Sequence, residues 1–342
     1  MKQYIIPAEG KFYKANLHCH SVNSDGKLTP EELKKVYRDA GYSVLAYSDH
    51  NVLLDHSYLD DEDFLALTSV EINVSRQGEQ NSRFRPCYHI NFYHEDQHNV
   101  ALPCFNPKYI SKKHPDLCEA QKYVGTPDFQ RDYENINDMI NEFAANGFIA
   151  MLNHPTWSLQ TMEEYRQLDS TNIFAMEIYN HGCYVECYDE INPHIYDELL
   201  RAGHKIYCTA TDDNHNFHPQ NSKEWDSCGG FVMIKAPELS QKAIVQALKS
   251  GNFYSSMGPE IKEMYIEDGK LIVETSPVVK MALGTAGRQA KVAYPDADHA
   301  TITHAEFDLS NVLPGYIRLT VKDEAGHLAW SQPVWGEFSG EY

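Results

Sequence analysis

From Tyr13 to about Tyr254, short β-like runs alternate with capped amphipathic helices, and nearly every run ends on a His, Asp or Glu. That alternation constrains the fold more than any other feature of the chain. A strand followed by a helix followed by another strand returns the chain in the same direction, so repeated units argue for a parallel sheet, closed as a barrel or doubly wound. Seven runs qualify, at 15–18, 44–48, 65–73, 87–93, 148–153, 175–179 and 205–211. The helices between them carry their own start and stop signals. Thr29 reads as an N-cap, with Pro30 at the first helical position and Glu32 completing a capping box. Leu33, Val36, Tyr37 and Ala40 share one face of that helix, and Gly41 ends it. A second helix is predicted from about Tyr133 to Gly147, with Ile136, Met139, Ile140 and Phe143 on one face. Thr161 with Glu164, Asn192–Pro193 and Ser240 open three more.

The stretch from Glu95 to about Gln130 is long and irregular, with four prolines, and follows a strand. It reads as an insertion over the functional end of the sheet. After Gly258–Pro259 the helical patterns stop. Short β runs then alternate with turns such as Asp268–Gly269 and Pro314–Gly315. We therefore expect an α/β unit over residues 1–255 and a small β-rich domain over 256–342.

At 342 residues, two such units fit the length. No stretch approaches the ~20 apolar residues of a membrane span, and the first dozen residues have no signal-peptide pattern, so a cytoplasmic protein is expected. The eight cysteines are scattered without a Cys-x-x-Cys pair, which fits thiols better than disulfides or a zinc knuckle. The net charge is −20, and the acidic surplus is spread over both parts. DNA and RNA are poor partners for such a surface. A small anion drawn in by bound cations is compatible with it.

The strand ends carry the chemistry. The first ends in Leu17-His18-Cys19-His20, and alternate residues of a strand share a face. Asp25 follows in a Ser24-Asp25-Gly26 turn. The second run ends in Ser48-Asp49-His50 and the third in Ser69-Val70-Glu71. The fourth carries His89, the fifth ends in Asn153-His154-Pro155, and the seventh in Thr211-Asp212-Asp213-Asn214-His215. A lone buried histidine is usually a packing residue. Six strands of seven delivering such groups to one end is another matter, because burying them together without a cation would cost several kcal/mol each. Imidazoles mixed with carboxylates and no thiolate suit zinc, manganese or iron. Nine candidate ligands exceed the needs of one ion, which implies two or three. No Gly-x-Ser-x-Gly elbow or phosphate-binding glycine loop offers a metal-free route.

These segments, with Leu28-Thr29-Pro30-Glu31-Glu32 and Asp213-Asn214-His215, resemble the polymerase and histidinol phosphatase (PHP) family of metal-dependent phosphoesterases. The resemblance spans about residues 13–255. It implies a distorted seven-stranded barrel and up to three metals. By position, His18, His20, Glu71 and Asp213 would hold one ion, Glu71, His89 and His154 a second, and Asp25, His50 and His215 a third. It also implies hydrolysis of a small phosphate ester by a metal-activated hydroxide, with Glu71, Asp213 and His215 at the centre and His181 as a candidate donor to the leaving group. The alternatives are a metal hydrolase of an amide or lactone bond, and a metal-stabilised binding module without activity. Further expectations are smaller. Asp49 orients a ligand histidine; Glu177 and Asn180 either pack the barrel or meet substrate or water; Arg83 and Arg85 fit solvated loop positions better than a phosphate clamp; and Gly229-Gly230 offers a weak signal for an anion-binding turn.

Overall fold

The computed structural model describes residues 2–78 and 81–338. Its strands are β1 (Gln3–Tyr4), β2 (Lys11–Asn16), β3 (Val44–Tyr47), β4 (Leu65–Ser75), β5 (Cys87–His94), β6 (Phe148–Leu152), β7 (Ile173–Asn180), β8 (Tyr207–Thr211), β9 (Phe231–Ala236) and β10 (Phe253–Ser256). The C-terminal strands are β11 (Ile261–Glu267), β12 (Lys270–Val278), β13 (Lys280–Thr285), β14 (Lys291–Ala293), β15 (Ile302–Asp308), β16 (Gly315–Lys322), β17 (Leu328–Ser331) and β18 (Val334–Gly336). The helices are α1 (Pro30–Asp39), α2 (Pro115–Ala120), α3 (Ile136–Ala145), α4 (Met162–Arg166), α5 (His181–Val185), α6 (Pro193–Arg201) and α7 (Gln241–Lys249).

The architecture is mixed α/β, with one large sheet and a separate four-stranded antiparallel sheet, β1-β11-β12-β15. In the large sheet β2 through β8 lie side by side in chain order. The all-parallel arrangement expected from the alternation does not form. β4–β5 and β5–β6 pair antiparallel, while β2–β3–β4 and β6–β7–β8 are parallel. The reason lies in the link between β4 and β5. It carries one short turn, Ser82–Phe84, and no crossover helix among its described residues, so the chain turns back on itself. Beyond the strand ends, Cys19 and Asn214 form a parallel bridge, and the Asp213 N–H donates to the His18 carbonyl at 2.9 Å. The continuations of β2 and β8 therefore meet. β2 also pairs antiparallel with β9, and the sheet runs on through β10 and β17 to β16, β13 and β14.

The helix signals translate directly into contacts. In α1 the Thr29–Glu32 capping box is formed, and Leu33 and Tyr37 are buried under it. Thr161 and Glu164 form a second capping box at α4. The predicted insertion holds the short helix α2 and is anchored to the body of the protein. Gln121 accepts from the Leu53 N–H and donates to two carbonyls, and His114 Nε2 lies 3.3 Å from the Ser24 carbonyl. In the C-terminal part, Met264, Leu271, Val273, Met281, Leu283, Leu319 and Val321 fill the space between the two sheets, as alternate residues of facing strands do. No helix among the described residues is long and apolar enough to cross a membrane.

Candidate metal centre

The nine predicted ligands meet at one end of β2–β8. His18 and His20 follow β2, His50 follows β3, Glu71 lies in β4, His154 follows β6, and Asp213 and His215 follow β8. His89 sits near the start of β5 rather than its end. Because β5 runs antiparallel, its start lies where its neighbours finish, and Asn73 of β4 is its register partner.

Donor atoms face one another at ligand spacing. His18 Nε2 and His20 Nε2 are 3.2 Å apart, and Asp213 Oδ1 lies 3.1 Å from the first and 3.0 Å from the second. Glu71 is fully buried in the middle. Its Oε1 is 3.3 Å from His18 Nε2, 3.0 Å from His89 Nδ1 and 3.5 Å from His154 Nε2, and its Oε2 is 3.2 Å from His20 Nε2 and 3.0 Å from His50 Nδ1. Asp25 closes the outer side, 3.6 Å from His20 Nδ1, 3.7 Å from His50 Nε2 and 3.5 Å from His215 Nε2. Three groupings have atoms close enough to share one cation: His18, His20 and Asp213; His50, Glu71 and His89; and His20, Asp25, His50 and His215. His50 thus faces Glu71 and His89 as well as Asp25.

These residues fit divalent cations. Glu71 Oε2 and His50 Nδ1 are buried and have no hydrogen-bond partner, though they face each other at 3.0 Å. Two buried polar atoms that face each other without a hydrogen bond are atoms that a shared cation would join. The electrostatics agree. Burial opposes charge on His18, but Asp213, Glu71 and Glu177 outweigh it and hold its pKa up to about 10. His20, His154 and His215 are raised by their carboxylate neighbours against the same burial penalty. Burial drives His50 down to about 3, with His20 and His89 adding to it, and lowers His89 as well. Asp213, Glu71 and Asp25 stay ionised, because the surrounding imidazoles overcome the desolvation that would protonate them. A field that keeps protons on buried imidazoles also attracts cations.

The supporting residues are more specific than the sequence indicated. Glu177, fully buried, accepts from His18 Nδ1 at 2.8 Å, Thr211 Oγ1 at 2.6 Å, the His154 N–H at 2.6 Å and Asn180 Nδ2 at 2.8 Å. It therefore fixes the His18 ring with Nε2 inward, as a carboxylate behind a ligand histidine does. It also holds the backbone of His154 at a φ of 23°, in left-handed territory that a non-glycine residue rarely occupies. Asp49 acts one step further back than expected. Its carboxylate accepts from the Ser21 N–H and hydroxyl and from Ser24 Oγ, and Ser24 Oγ lies 3.4 Å from His20 Nδ1.

Gly229-Gly230 does form an anion-binding turn, but the anion is the protein's own Asp212. Its carboxylate accepts the N–H groups of Cys228, Gly229 and Gly230 at 2.7–2.9 Å and the Tyr37 hydroxyl at 2.8 Å. Asp212 is thereby occupied away from the centre, while Asp213, at a φ of 53°, faces it. Arg83 is exposed, and Arg85 donates to the Arg76 carbonyl; neither lines the pocket. His181 lies outside the pocket wall. Its Nδ1 meets the Tyr179 hydroxyl at 2.7 Å and its Nε2 the Trp225 carbonyl at 3.2 Å.

The pocket over the centre holds about 250 Å3. Trp157 and Phe217 wall it, Trp157 packing against His89 and His154, and Phe217 stacking on His215. Gly182, Cys183, Glu186 and Asp226 complete the lining. Sequence reading missed Trp157 and Glu186. Neither sits in a ligand pattern, and only the chain's path brings them here.

No protein-family model matches the chain, and no curated protein matches it. Among solved structures it is similar to a two-domain protein from Bacteroides vulgatus containing a predicted PHP-like metal-dependent phosphoesterase. The identity is 15%, the TM-score is 0.47, and the match covers 97% of this chain and 98% of that one. A protein from Bifidobacterium adolescentis assigned as a metal-dependent phosphoesterase is 17% identical, with a TM-score of 0.36 over 63% of this chain and 91% of that one. An amidohydrolase from Chromobacterium violaceum, with bound sulfate and no metal, is 19% identical, with a TM-score of 0.38 over 59% and 87%. At such scores the likenesses carry no functional argument, and the reading that follows rests on the residues.

Proposed function

We propose that this chain is a metal-dependent phosphoesterase acting on small phosphate esters. The observation that carries the reading is the convergence around Glu71: six imidazoles and three carboxylates face one another at 3.0–3.7 Å, and one buried Glu71 oxygen makes no hydrogen bond. The motif resemblance over residues 13–255 supports phosphate as the target. The bridge between Cys19 and Asn214 supports reading β2–β8 as a distorted barrel, with its mouth at this site and residues 256–342 as an appended β-rich domain.

Two or three zinc, manganese or iron ions held by His18, His20, Asp25, His50, Glu71, His89, His154, Asp213 and His215 would supply a nucleophile at neutral pH and neutralise charge on the phosphoryl oxygens. The chain supplies the rest. Glu71 spans the ligand groups with its two oxygens, and Glu177 keeps His18 Nε2 turned inward. Trp157 and Phe217 limit the pocket to a small substrate and shield it from bulk water.

The test is metal analysis joined to a phosphate-release screen with manganese or zinc, run beside amide and lactone panels. We expect bound metal and phosphate release. Asp213→Asn and His154→Ala should abolish turnover while circular dichroism stays unchanged. Release from amides or lactones alone would reassign the chemistry, and a loaded protein inert on all three panels would make it a binding module.

A further inference from the structure

The proposed reaction leaves one group unassigned: the donor of a proton to the departing alcohol. His181 is outside the pocket wall, with both ring nitrogens engaged. The remaining titratable side chains of the wall are mostly committed. Seven are ligand candidates beneath the pocket. Asp226 is held by the His215 and Asn216 N–H groups and by Asn216 Nδ2, and the Cys183 thiol points at Asp213 Oδ2. Glu186 differs. It follows α5, borders both the metal pocket and a smaller annex lined by Phe217, His218, Glu224 and Asp226, and its carboxylate accepts no hydrogen bond among the described residues.

We propose that Glu186 is the catalytic acid that protonates the leaving group, an assignment that rests on the phosphoesterase reading above. As the P–O bond to the alcohol breaks, its electron pair passes to the alcohol oxygen, which takes the proton of the Glu186 carboxyl. The oxygen of the attacking water forms the new P–O bond and its proton goes to solvent. Glu186 then regains a proton from solvent. The products are a neutral alcohol and inorganic phosphate.

The surroundings suit an acid. Glu186 is an exposed residue, yet the protein crowded around it desolvates its carboxyl enough to raise the pKa; His215 opposes this, and Asp213 and Asp226 add to it. The other groups facing it are His154 from the end of β6, His218 and Glu224 in the annex, and His181 and Cys183 on its own helix. No Lys or Arg lines either cavity among the described residues, so no cationic side chain stands ready to take the alkoxide charge in place of a proton.

General acid catalysis matters in proportion to how badly the leaving group needs its proton. The experiment therefore compares ethyl phosphate, whose alkoxide is a poor leaving group, with 4-nitrophenyl phosphate, whose phenolate departs unaided, in the manganese-loaded enzyme and in Glu186→Gln. We expect the substitution to slow ethyl phosphate turnover by ~100-fold or more and 4-nitrophenyl phosphate by no more than about threefold. The second ester also verifies that the variant is folded and loaded. Equal slowing of both esters, or none of either, overturns the assignment while leaving the phosphoesterase reading intact. Native enzyme inert on both esters sinks that reading and this one together. An independent readout needs no turnover: a carboxyl 13C NMR titration of metal-stripped protein, taken as the difference from Glu186→Gln, should show Glu186 titrating above the ordinary ~4.3 of a glutamate. A value at or below that would also overturn the role.

Discussion

Glu177 lines no part of the metal pocket, yet it decides which way His18 faces. Its effect can be read through pH. In protein stripped of metal, burial disfavours the His18 imidazolium, but Asp213, Glu71 and Glu177 together hold it to about pH 10. An unfolded histidine titrates near ~6.5. The folded pKa is the higher one, so the stabilisation is complete below ~6.5 and is lost as pH rises through about 10. EDTA-treated protein should therefore show falling urea midpoints from neutral pH towards 10. In metal-loaded protein, where the ligand ring has already lost its proton, that decline should vanish. Glu177→Gln removes one of the three carboxylates and should flatten the decline in the stripped protein. A stripped protein with level midpoints across the range would show that the cluster does not hold this proton. The convergence of the candidate ligands was legible in sequence, because His-x-His and Asp-x-His keep paired groups on one face. Glu177 and Asp212 were not. Their roles depend on partners as far off as His18 and Tyr37, and a buried carboxylate carries no local sign of who will donate to it.

Elements announced their ends better than their directions. The Thr29 and Thr161 capping boxes, and the Ser240 cap of α7, stand where residue types place them, because a cap is satisfied within one turn. The reversal of β5 had one local clue, the lack of any helix pattern between the third and fourth runs, where a parallel crossover usually carries one. β9 was overlooked altogether. It enters the sheet immediately after the Gly229-Gly230 turn and pairs antiparallel with β2 and β10. That turn is tight for a steric reason: a Cβ on Gly230 would stand 2.3 Å from the Thr211 carbonyl oxygen at the end of β8. The three nearest atoms all belong to the Thr211 backbone, which cannot swing aside. Gly230→Ala should shift the start of β9, loosen the N–H groups around Asp212 and destabilise the fold by about 1–3 kcal/mol. Urea denaturation would measure it, and an unchanged midpoint would mean the turn has room that its geometry does not show.

At the scale of the molecule, the large sheet does not stop at the candidate site. Through β10 and β17 it continues into the C-terminal strands, and polar contacts fasten the two regions. Gln332 brackets Cys208 of β8 by accepting from its N–H and donating to its carbonyl, and Ser255 Oγ donates to the same carbonyl. Arg318 of β16 reaches α6 with a forked pair of bonds to Asp197, at 2.8 and 2.7 Å, and the Tyr316 hydroxyl joins at 3.1 Å. The arginine side chain is only 7% exposed and its partner 26%, so solvent screens the pair weakly. Such a pair need not add net stability over an apolar one, but removing one member strands the other charge. Arg318→Ala should therefore cost about 3 kcal/mol, somewhat less if water reaches Asp197. The double variant with Asp197→Ala should recover part of that loss, because no charge is then stranded. The form of the transition carries the larger claim. With β8 tied on one side to Asp213, a candidate ligand, and on the other to Gln332, loss of the C-terminal contacts should be felt at the candidate metal centre. Trp157 fluorescence, isolated by replacing the other three tryptophans with phenylalanine, should then follow the same urea curve as far-ultraviolet circular dichroism in both native and Arg318→Ala protein. Two separated transitions would show that the C-terminal strands fold apart from the site, and that the continuous sheet is a matter of contact and not of cooperation.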